Sequence, residues 1–536
     1  MEYLVTSKEM AGYDEATINK IGIPALVLME RAALAVCEEV IAYVHAASKC
    51  YRVLIMAGCG NNGADGLAIA RMLSEYKEEG EAVFQVDTVI CGNQEKATEQ
   101  WKHQYEILQH FPVRIGRKSQ AGEYDILIDA LFGVGLSREI GGEYRELIQW
   151  VNEACGFKVA VDVPSGIHSD DGRVMGCAVR ADLTVCFAFG KRGLYFYPGC
   201  EYAGKVKVKD IGIGEASFGE SKPGMFRYTE NIQKLLPKRS ADGNKATFGK
   251  VLLAAGNRNM AGAAVLSAKA ALRSGVGMVK VLTRECNREI LQIAVPEALL
   301  STEQPWIEER TEQLGTEKGS ELPGKQEKQQ SKFFTWPDVL AVGPGLGTDD
   351  WAYEVLYSFL TDSKLPLVID ADGLNLLSSH EELMQLVKKQ GEEGRTIILT
   401  PHVGELARLC GVSISEIKAE PVKIAMELAG KLHCVVVRKD ARTLICEAGK
   451  PICMNTTGNS GMAAAGSGDV LTGVIAGLLA QGMKGFDAAC TGVYLHGLAG
   501  DKIASKMGEY AMTSGDLVQG IMEVTGPEGV RESRVQ

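Results

Sequence analysis

The sequence predicts an α/β protein made of two successive, mostly parallel-sheet domains, and three observations predict it. Apolar runs of strand length alternate with segments of helical length and periodicity through both halves. A polar, glycine-containing stretch, PKRSADGNKATFGK (237–250), separates the two series. At 536 residues the chain is also too long for one ordinary core.

In the first half YRVLIMAG (51–58) is expected as a buried strand, and LAIARMLSEY (67–76) as an amphipathic helix after a glycine-rich loop. VFQVDTVICG, YDILIDALFG and FKVAVDVPSG repeat the strand pattern at spacings that fit crossover helices, and DLTVCFAFG and GKVKVKDIGIG add later strands. This domain is expected to occupy 1–225. The second, 240–530, restarts with KVLLAAG, the helix AAVLSAKAALRSG and the strand GMVKVLT, then DVLAVGPG, LPLVIDAD, GRTIILTP and HCVVVRKD. Residues 302–332 are highly charged and lack apolar periodicity, so they are expected as a flexible insertion within the second domain.

Composition narrows the function classes. With 46% hydrophobic and 23% charged residues the chain is globular, and no apolar run is long enough to span a bilayer. A net charge of −11 without a basic stripe argues against a nucleic-acid partner. The start, MEYLVTSKEMAGYDEATINK, has no basic region leading into an apolar stretch, and the 14 cysteines never form C-x-x-C. A cytoplasmic protein with reduced thiols and no membrane contact is expected.

The first motif-bearing region joins three strand ends. GCGNNGADG (58–66) lies between a strand and a helix, where glycines let a backbone approach phosphate and a helix N-terminus offers free N–H groups. Its Asn61 and Asn62 distinguish it from the dinucleotide G-x-G-x-x-G pattern. Asp129 and Asp162 end two further strands, in DALFGVG and VDVPSG, so carboxylates converge on one sheet edge. Together these motifs resemble the N-terminal YjeF-type domain of the NAD(P)HX epimerase family, over roughly residues 1–220. NAD(P)HX is the hydrated, damaged form of NADH or NADPH, and the family interconverts its R and S epimers at C6 of the nicotinamide ring. The resemblance implies a Rossmann-like fold. It also implies a dinucleotide site lined by Asn61, Asn62, Gly63, Ala64 and Asp65 and by Gly133, Val134, Gly135, Leu136, Ser137, Arg138 and Glu139. Asp162 would contact the ligand as acid/base, and Asn62, Asp129 and Ser165 would hold a potassium ion. Ala64 replaces a common glycine, which a negative φ would permit. Lys191 in FAFGKRGL offers a charge near the ligand, a solvated lysine being the alternative.

Near the C-terminus stands GMAAAGSGDVLTGVIAG (461–477), where small residues run into Gly466-Ser467-Gly468, one aspartate and an apolar helix. Glycines there weaken a helix but present several N–H groups to an anion, and Asp469 beside them is placed to take a proton from an attacking hydroxyl. AVGPGLG (341–347), VIDADGLN with Asp370, Asp372 and Asn375, TPHVGE with His402 and Glu405, and RKDARTLIC with Lys439 and Thr443 precede it in that order. Over about 240–525 this half resembles the ribokinase-like superfamily, specifically the ADP-dependent NAD(P)HX dehydratase family. The resemblance implies that Ala263, Gly347, His402 and Asp469 contact NAD(P)HX. It implies that Lys439, Asp440, Ala441, Arg442, Thr443 and Gly468 contact the adenine nucleotide. It further implies ADP rather than ATP as co-substrate and Mg²⁺ as the ion on the phosphates, with Glu405 a possible outer contact of that metal.

The two resemblances imply a bifunctional repair protein in which one half removes the other's restriction to a single epimer. They also imply a homo-oligomer whose ligands are NAD(P)HX and ADP. The rival reading is a ribokinase-like small-molecule kinase fused to a non-catalytic binding or interaction domain.

Overall fold

The computed structural model describes residues 1–44, 50–116, 123–302 and 332–526. Residues 303–331 of the expected insertion lie outside the described residues. The chain divides into two compact units, Glu2–Phe226 and the remainder from Arg227 onward, so the polar stretch 237–250 falls within the second.

In the first unit seven strands form one sheet in the order Lys205–Lys209, Leu183–Phe187, Phe157–Val161, Ile126–Ala130, Tyr51–Ala57, Phe84–Ile90, Arg114–Gly116. Every neighbouring pair is parallel. The order runs outward from Tyr51–Ala57 to one edge and then returns to the other side at Ile126–Ala130. A topological switch point lies between those two strands, and ligand crevices of open α/β sheets form there. Both faces are covered, as a parallel sheet requires. Val53, Ile55 and Ala57 pack under the helices Ala25–Tyr43 and Asn61–Glu75, while Leu54 and Met56 face the cluster that includes Ile148 and Val151 of the helix Gly142–Glu153. The six strands expected from the sequence are present. Arg114–Gly116 was not foreseen because three half-exposed residues carry no hydrophobic period. Nor was the opening strand Glu2–Val5, which pairs in parallel with Gly190–Lys191.

In the second unit nine strands are hydrogen-bonded in the order Ile452–Met454, Leu444–Cys446, Val435–Arg438, Ile397–Leu399, Leu367–Ile369, Val339–Val342, Lys250–Ala254, Met278–Leu282, Leu299–Ser301. The first two pairings are antiparallel and the rest parallel. Ser467–Ala480, apolar on nearly every side, lies against the helix Ala261–Arg273. Two glycines permit that approach: a Cβ on Gly473 would sit 2.1 Å from the Ser267 carbonyl oxygen, and one on Gly477 2.5 Å from Ser274 Oγ. Those two glycines of GMAAAGSGDVLTGVIAG therefore serve packing, while Gly466 is the N-cap and Gly468 lies in the helix's first turn.

Candidate functional site

The glycine run of the first unit is mostly helix. Asn61–Glu75 is helical from its first residue, with Gly60 at the N-cap, so Asn61 to Asp65 form its first turn rather than a loop. Two glycines are fixed by contact. A Cβ on Gly58 would lie 2.1 Å from the Leu131 carbonyl oxygen, and one on Gly63 1.9 Å from the Gly58 carbonyl oxygen. Ala64 lies inside the helix, is absent from the positive-φ residues and is fully buried, so its methyl group is accommodated.

A cavity of about 960 Å³ opens at this turn. Asn61, Asn62, Asp65, Gly133, Val134, Gly135, Leu136, Ser137, Arg138 and Asp162 line it; Gly63, Ala64 and Glu139 do not. Asp162 ends its strand with φ +66°, a strained value for a non-glycine residue and one that collects at functional sites. Its Oδ1 accepts from Phe187 N at 3.0 Å and from Lys191 Nζ at 2.5 Å. Lys191 is fully buried and also donates to the Phe187 carbonyl at 2.7 Å, which overturns the solvated-lysine alternative. Burial pulls the Lys191 ammonium down, but Asp162 and Cys186 push it further up, and the net shift is upward. Asp65 faces the same cavity; burial, then Asp162 and Asp14, hold its carboxyl well above the ordinary carboxylate range. Asp129 and Ser165 lie behind the lining. Asp129 Oδ2 accepts from Ser165 N at 2.7 Å and Oδ1 from Ser165 Oγ at 2.6 Å, and burial lifts the Asp129 carboxyl to about 6 against these bonds. The Asn62 amide nitrogen is buried without a hydrogen-bond partner.

The second unit gathers its motifs at the C-terminal ends of its parallel strands. Asp370, 1% exposed, accepts from Lys439 Nζ at 2.6 Å and from Thr472 Oγ1 at 2.6 Å. Gly468 lies directly over this pair, since a Cβ there would be 3.2 Å from Lys439 Nζ and 3.7 Å from Asp370 Oδ2. Gly466 caps the helix with φ +91°, the left-handed conformation that turns the chain into Ser467. Asp469 follows in the first turn. Its side chain does not cap the helix, and burial followed by Asp370 lifts its carboxyl to about 7 while Lys439 opposes.

Neighbouring loops close around that centre. Lys439 N donates to the Pro401 carbonyl at 2.8 Å, which seats His402 beside it. His402 caps the helix Val403–Cys410 through Nδ1, and burial with Lys439 lowers its pKa. Glu405 completes that capping box, and burial lifts its carboxyl to about 7. Gly347 N donates to Asp372 Oδ2 at 2.8 Å, and a Cβ on Gly345 would lie 2.8 Å from the Ala263 methyl, so the GPGLG loop crosses Ala263. Asp440, Ala441, Arg442 and Thr443 form the turn after Lys439, closed by Thr443 Oγ1 donating to the Asp440 carbonyl at 3.0 Å. Ala371 carries φ +46° between Asp370 and Asp372, a second strained position at a strand end.

Two family models match in this order. Residues 25–193 match the YjeF-related protein N-terminus, and 251–523 match NAD(P)H-hydrate dehydratase. The bifunctional NAD(P)H-hydrate repair enzyme of Moorella thermoacetica is 35% identical over 96% of this chain and 95% of its own. That of Thermofilum pendens is 34% identical over 94% and 93%. The chain belongs to the bifunctional NAD(P)H-hydrate repair family. An ADP/ATP-dependent NAD(P)H-hydrate dehydratase from Bacillus subtilis, of solved structure, aligns at 28% identity and a TM-score of 0.44, over 55% of this chain and 94% of that one.

Within this repair-family architecture the structure adds residues that motif reading missed. Asp14, from a helix that precedes the matched YjeF-type segment, lines the first cavity with Lys96, Tyr144 and Phe187. In the dehydratase-type unit Thr472 anchors Asp370, and Arg408 donates to Asn375 Oδ1 at 2.8 Å. His496 lies 3.4 Å from Ser467 Oγ, and burial lowers it to about 4. Thr472 stands three residues after Asp469, a helical spacing that could have flagged it; His496 carries no such signal.

Proposed function

We propose that this chain repairs hydrated nicotinamide cofactors, epimerising R- and S-NAD(P)HX in its first unit and dehydrating the S epimer in its second with ADP, giving AMP and phosphate. The observation that carries the reading is Asp469: a half-buried carboxyl near neutrality, beside a glycine turn at a helix N-terminus and above the ion pair of Lys439 with the buried Asp370. A carboxyl of that pKa takes a proton effectively at physiological pH. Asp469 removes the proton of the C6 hydroxyl, whose oxygen attacks the terminal phosphoryl group of ADP as AMP departs. The free N–H groups of the Ser467–Ala480 helix and the Lys439 ammonium meet the developing charge. The ring nitrogen then expels phosphate, loss of a C5 proton restores the double bond, and NAD(P)H remains.

Among the described residues no three His, Cys, Asp or Glu side chains group as a metal site. Mg²⁺ is commonly held by nucleotide phosphates with one or two carboxylates, which Glu405 and Asp372 on neighbouring loops would supply. When bound, the ion would neutralise phosphate charge. In the first unit Asn62, Asp129 and Ser165 offer amide, carboxylate and hydroxyl oxygens, two of them already joined by the Ser165 Oγ to Asp129 Oδ1 hydrogen bond. Such hard donors suit potassium; these three residues would hold it, and it would supply positive charge beside the cavity.

Incubating the full chain with NADHX and ADP should regenerate the NADH absorbance. Asp469→Asn should abolish that signal, and Asp162→Asn should leave only the S form quickly consumed. A stable phosphorylated product without NADH would instead identify a kinase.

A further inference from the structure

We propose that Asp65 is the catalytic acid of the epimerase cavity, protonating the departing C6 hydroxyl, while the ion-paired Asp162 receives a proton from the water that returns; this rests on the epimerase reading above. Three carboxyls, Asp14, Asp65 and Asp162, line one cavity, from three different elements. Asp65 comes from the first turn after Tyr51–Ala57 and Asp162 from the end of Phe157–Val161, with the strand Ile126–Ala130 between them in the sheet. They therefore reach the cavity from two sides of the switch point.

Their partners differ. Asp162 is held by Lys191 Nζ and Phe187 N. Asp65 has neither a hydrogen bond nor an ion pair from its side chain among the described residues, and it is only partly exposed. Lys96 and Arg138 also line the cavity, and among the described residues neither forms an ion pair with Asp65. With Lys191 committed to Asp162, a half-buried carboxyl without a partner of its own, beside two more carboxyls, is biased toward its protonated form. Two neighbouring acids divided in this way take the acid and base roles of a single reaction.

The chemistry balances. The C6–O bond breaks with its electron pair on oxygen, the Asp65 proton turns the leaving group into water, and the N1 lone pair carries the ring cation. The surrounding carboxylates favour that cation. Water then adds to the opposite face, forming the new C6–O bond and giving its proton to Asp162. Transfer of that proton to Asp65 through cavity water restores the starting state.

The test uses the full chain, purified R-NADHX and chromatographic separation of the epimers in ¹⁸O-labelled water. Asparagine copies the shape and neutrality of a protonated aspartate but has no proton to give. Asp65→Asn should therefore lower kcat for epimerisation by about 100-fold or more while KM changes less than about threefold. The wild type should place ¹⁸O on C6 as fast as it epimerises, and dehydration of the S epimer by Asp65→Asn should match wild type, which verifies folding. A variant with kcat within about threefold of wild type, a raised KM with intact kcat, or epimerisation without label uptake overturns the acid role. A wild-type chain that does not epimerise at all overturns the functional reading itself and this inference with it.

Discussion

Asp370 and Lys439, 69 residues apart in sequence, meet as a 2.6 Å ion pair beneath Gly468, the aspartate almost wholly buried. The pair governs its surroundings as well as its own geometry. Asp370 raises, and Lys439 lowers, the carboxyls of both Asp469 and Glu405. Burial lifts these two acids from two other loops to about 7, and the charge pair between them pulls on each in both directions.

Replacing the lysine should expose that dependence. Lys439→Met leaves Asp370 buried with only Thr472 and backbone as partners, and breaking one side of such a pair costs about 3 kcal/mol. Urea unfolding should show a lower midpoint in the second unit. Dehydratase kcat/KM should fall by at least about 100-fold, the scale of losing one donor to developing charge.

Asp469 should impose a pH dependence with a definite sign. As a base it must be ionised, so kcat/KM for dehydration should fall about tenfold per pH unit below about 7. Glu405 titrates in the same window, so Glu405→Gln should keep this acid limb if Asp469 sets it. Stability runs the other way. A carboxyl whose folded pKa exceeds its unfolded value binds its proton more tightly in the folded chain, so stability is lost as pH climbs from about 4 to about 7. Asp469→Asn has no proton to lose. It should be more stable than wild type at pH 8, with the difference gone by about pH 4 in thermal melts.

The parts of both sites legible in the sequence are those where one short segment carries both the turn and the chemistry. Asp162 in VDVPSG, Lys439 in VVVRKD and Asp469 in GSGD stand at strand ends or a helix start, where sequence period and glycine placement change together. Asp14, Thr472 and His496 were not legible because their roles come from what tertiary packing sets against them. Lys191 shows the limit most clearly: one lysine in FAFGKRGL reads equally as solvated or buried until Asp162 is placed 2.5 Å away. The helix starting at Asn61 shows another, since glycines and asparagines argue for a loop, while contacts with Gly58 and Leu131 compel a tight helical entry. Short strands such as Arg114–Gly116 escape because they owe their existence to a neighbour's free edge.

Gly63 and Ala64 should respond oppositely to the same kind of change. A methyl group on Gly63 meets the Gly58 carbonyl oxygen at 1.9 Å, backbone against backbone, which no rotamer relieves. Gly63→Ala should destabilise the first unit by roughly 3 kcal/mol or more and abolish epimerisation. Ala64→Gly removes a fully buried methyl group and adds a helical glycine, so it should cost about 1–2 kcal/mol and leave the reaction in place. Chemical denaturation of both variants, with epimer chromatography, separates the two outcomes.

Lys191→Met provides the sharpest separation of the two activities. Methionine keeps the length of the side chain, so packing is nearly preserved, but the charge that holds Asp162 Oδ1 and the donor to the Phe187 carbonyl both vanish. The strained φ of +66° at Asp162 then loses its principal tether, and breaking the buried pair costs about 3–5 kcal/mol in the first unit. Epimerisation should fall by about 100-fold or more. Arginine should not rescue it, because a fully buried site shaped for an ammonium has no room for a planar guanidinium. The second unit has its own charged centre, so S-NADHX and ADP should still yield NADH at the wild-type rate, while R-NADHX accumulates unreacted. An equal fall in both activities would mean that the two units depend on each other for folding.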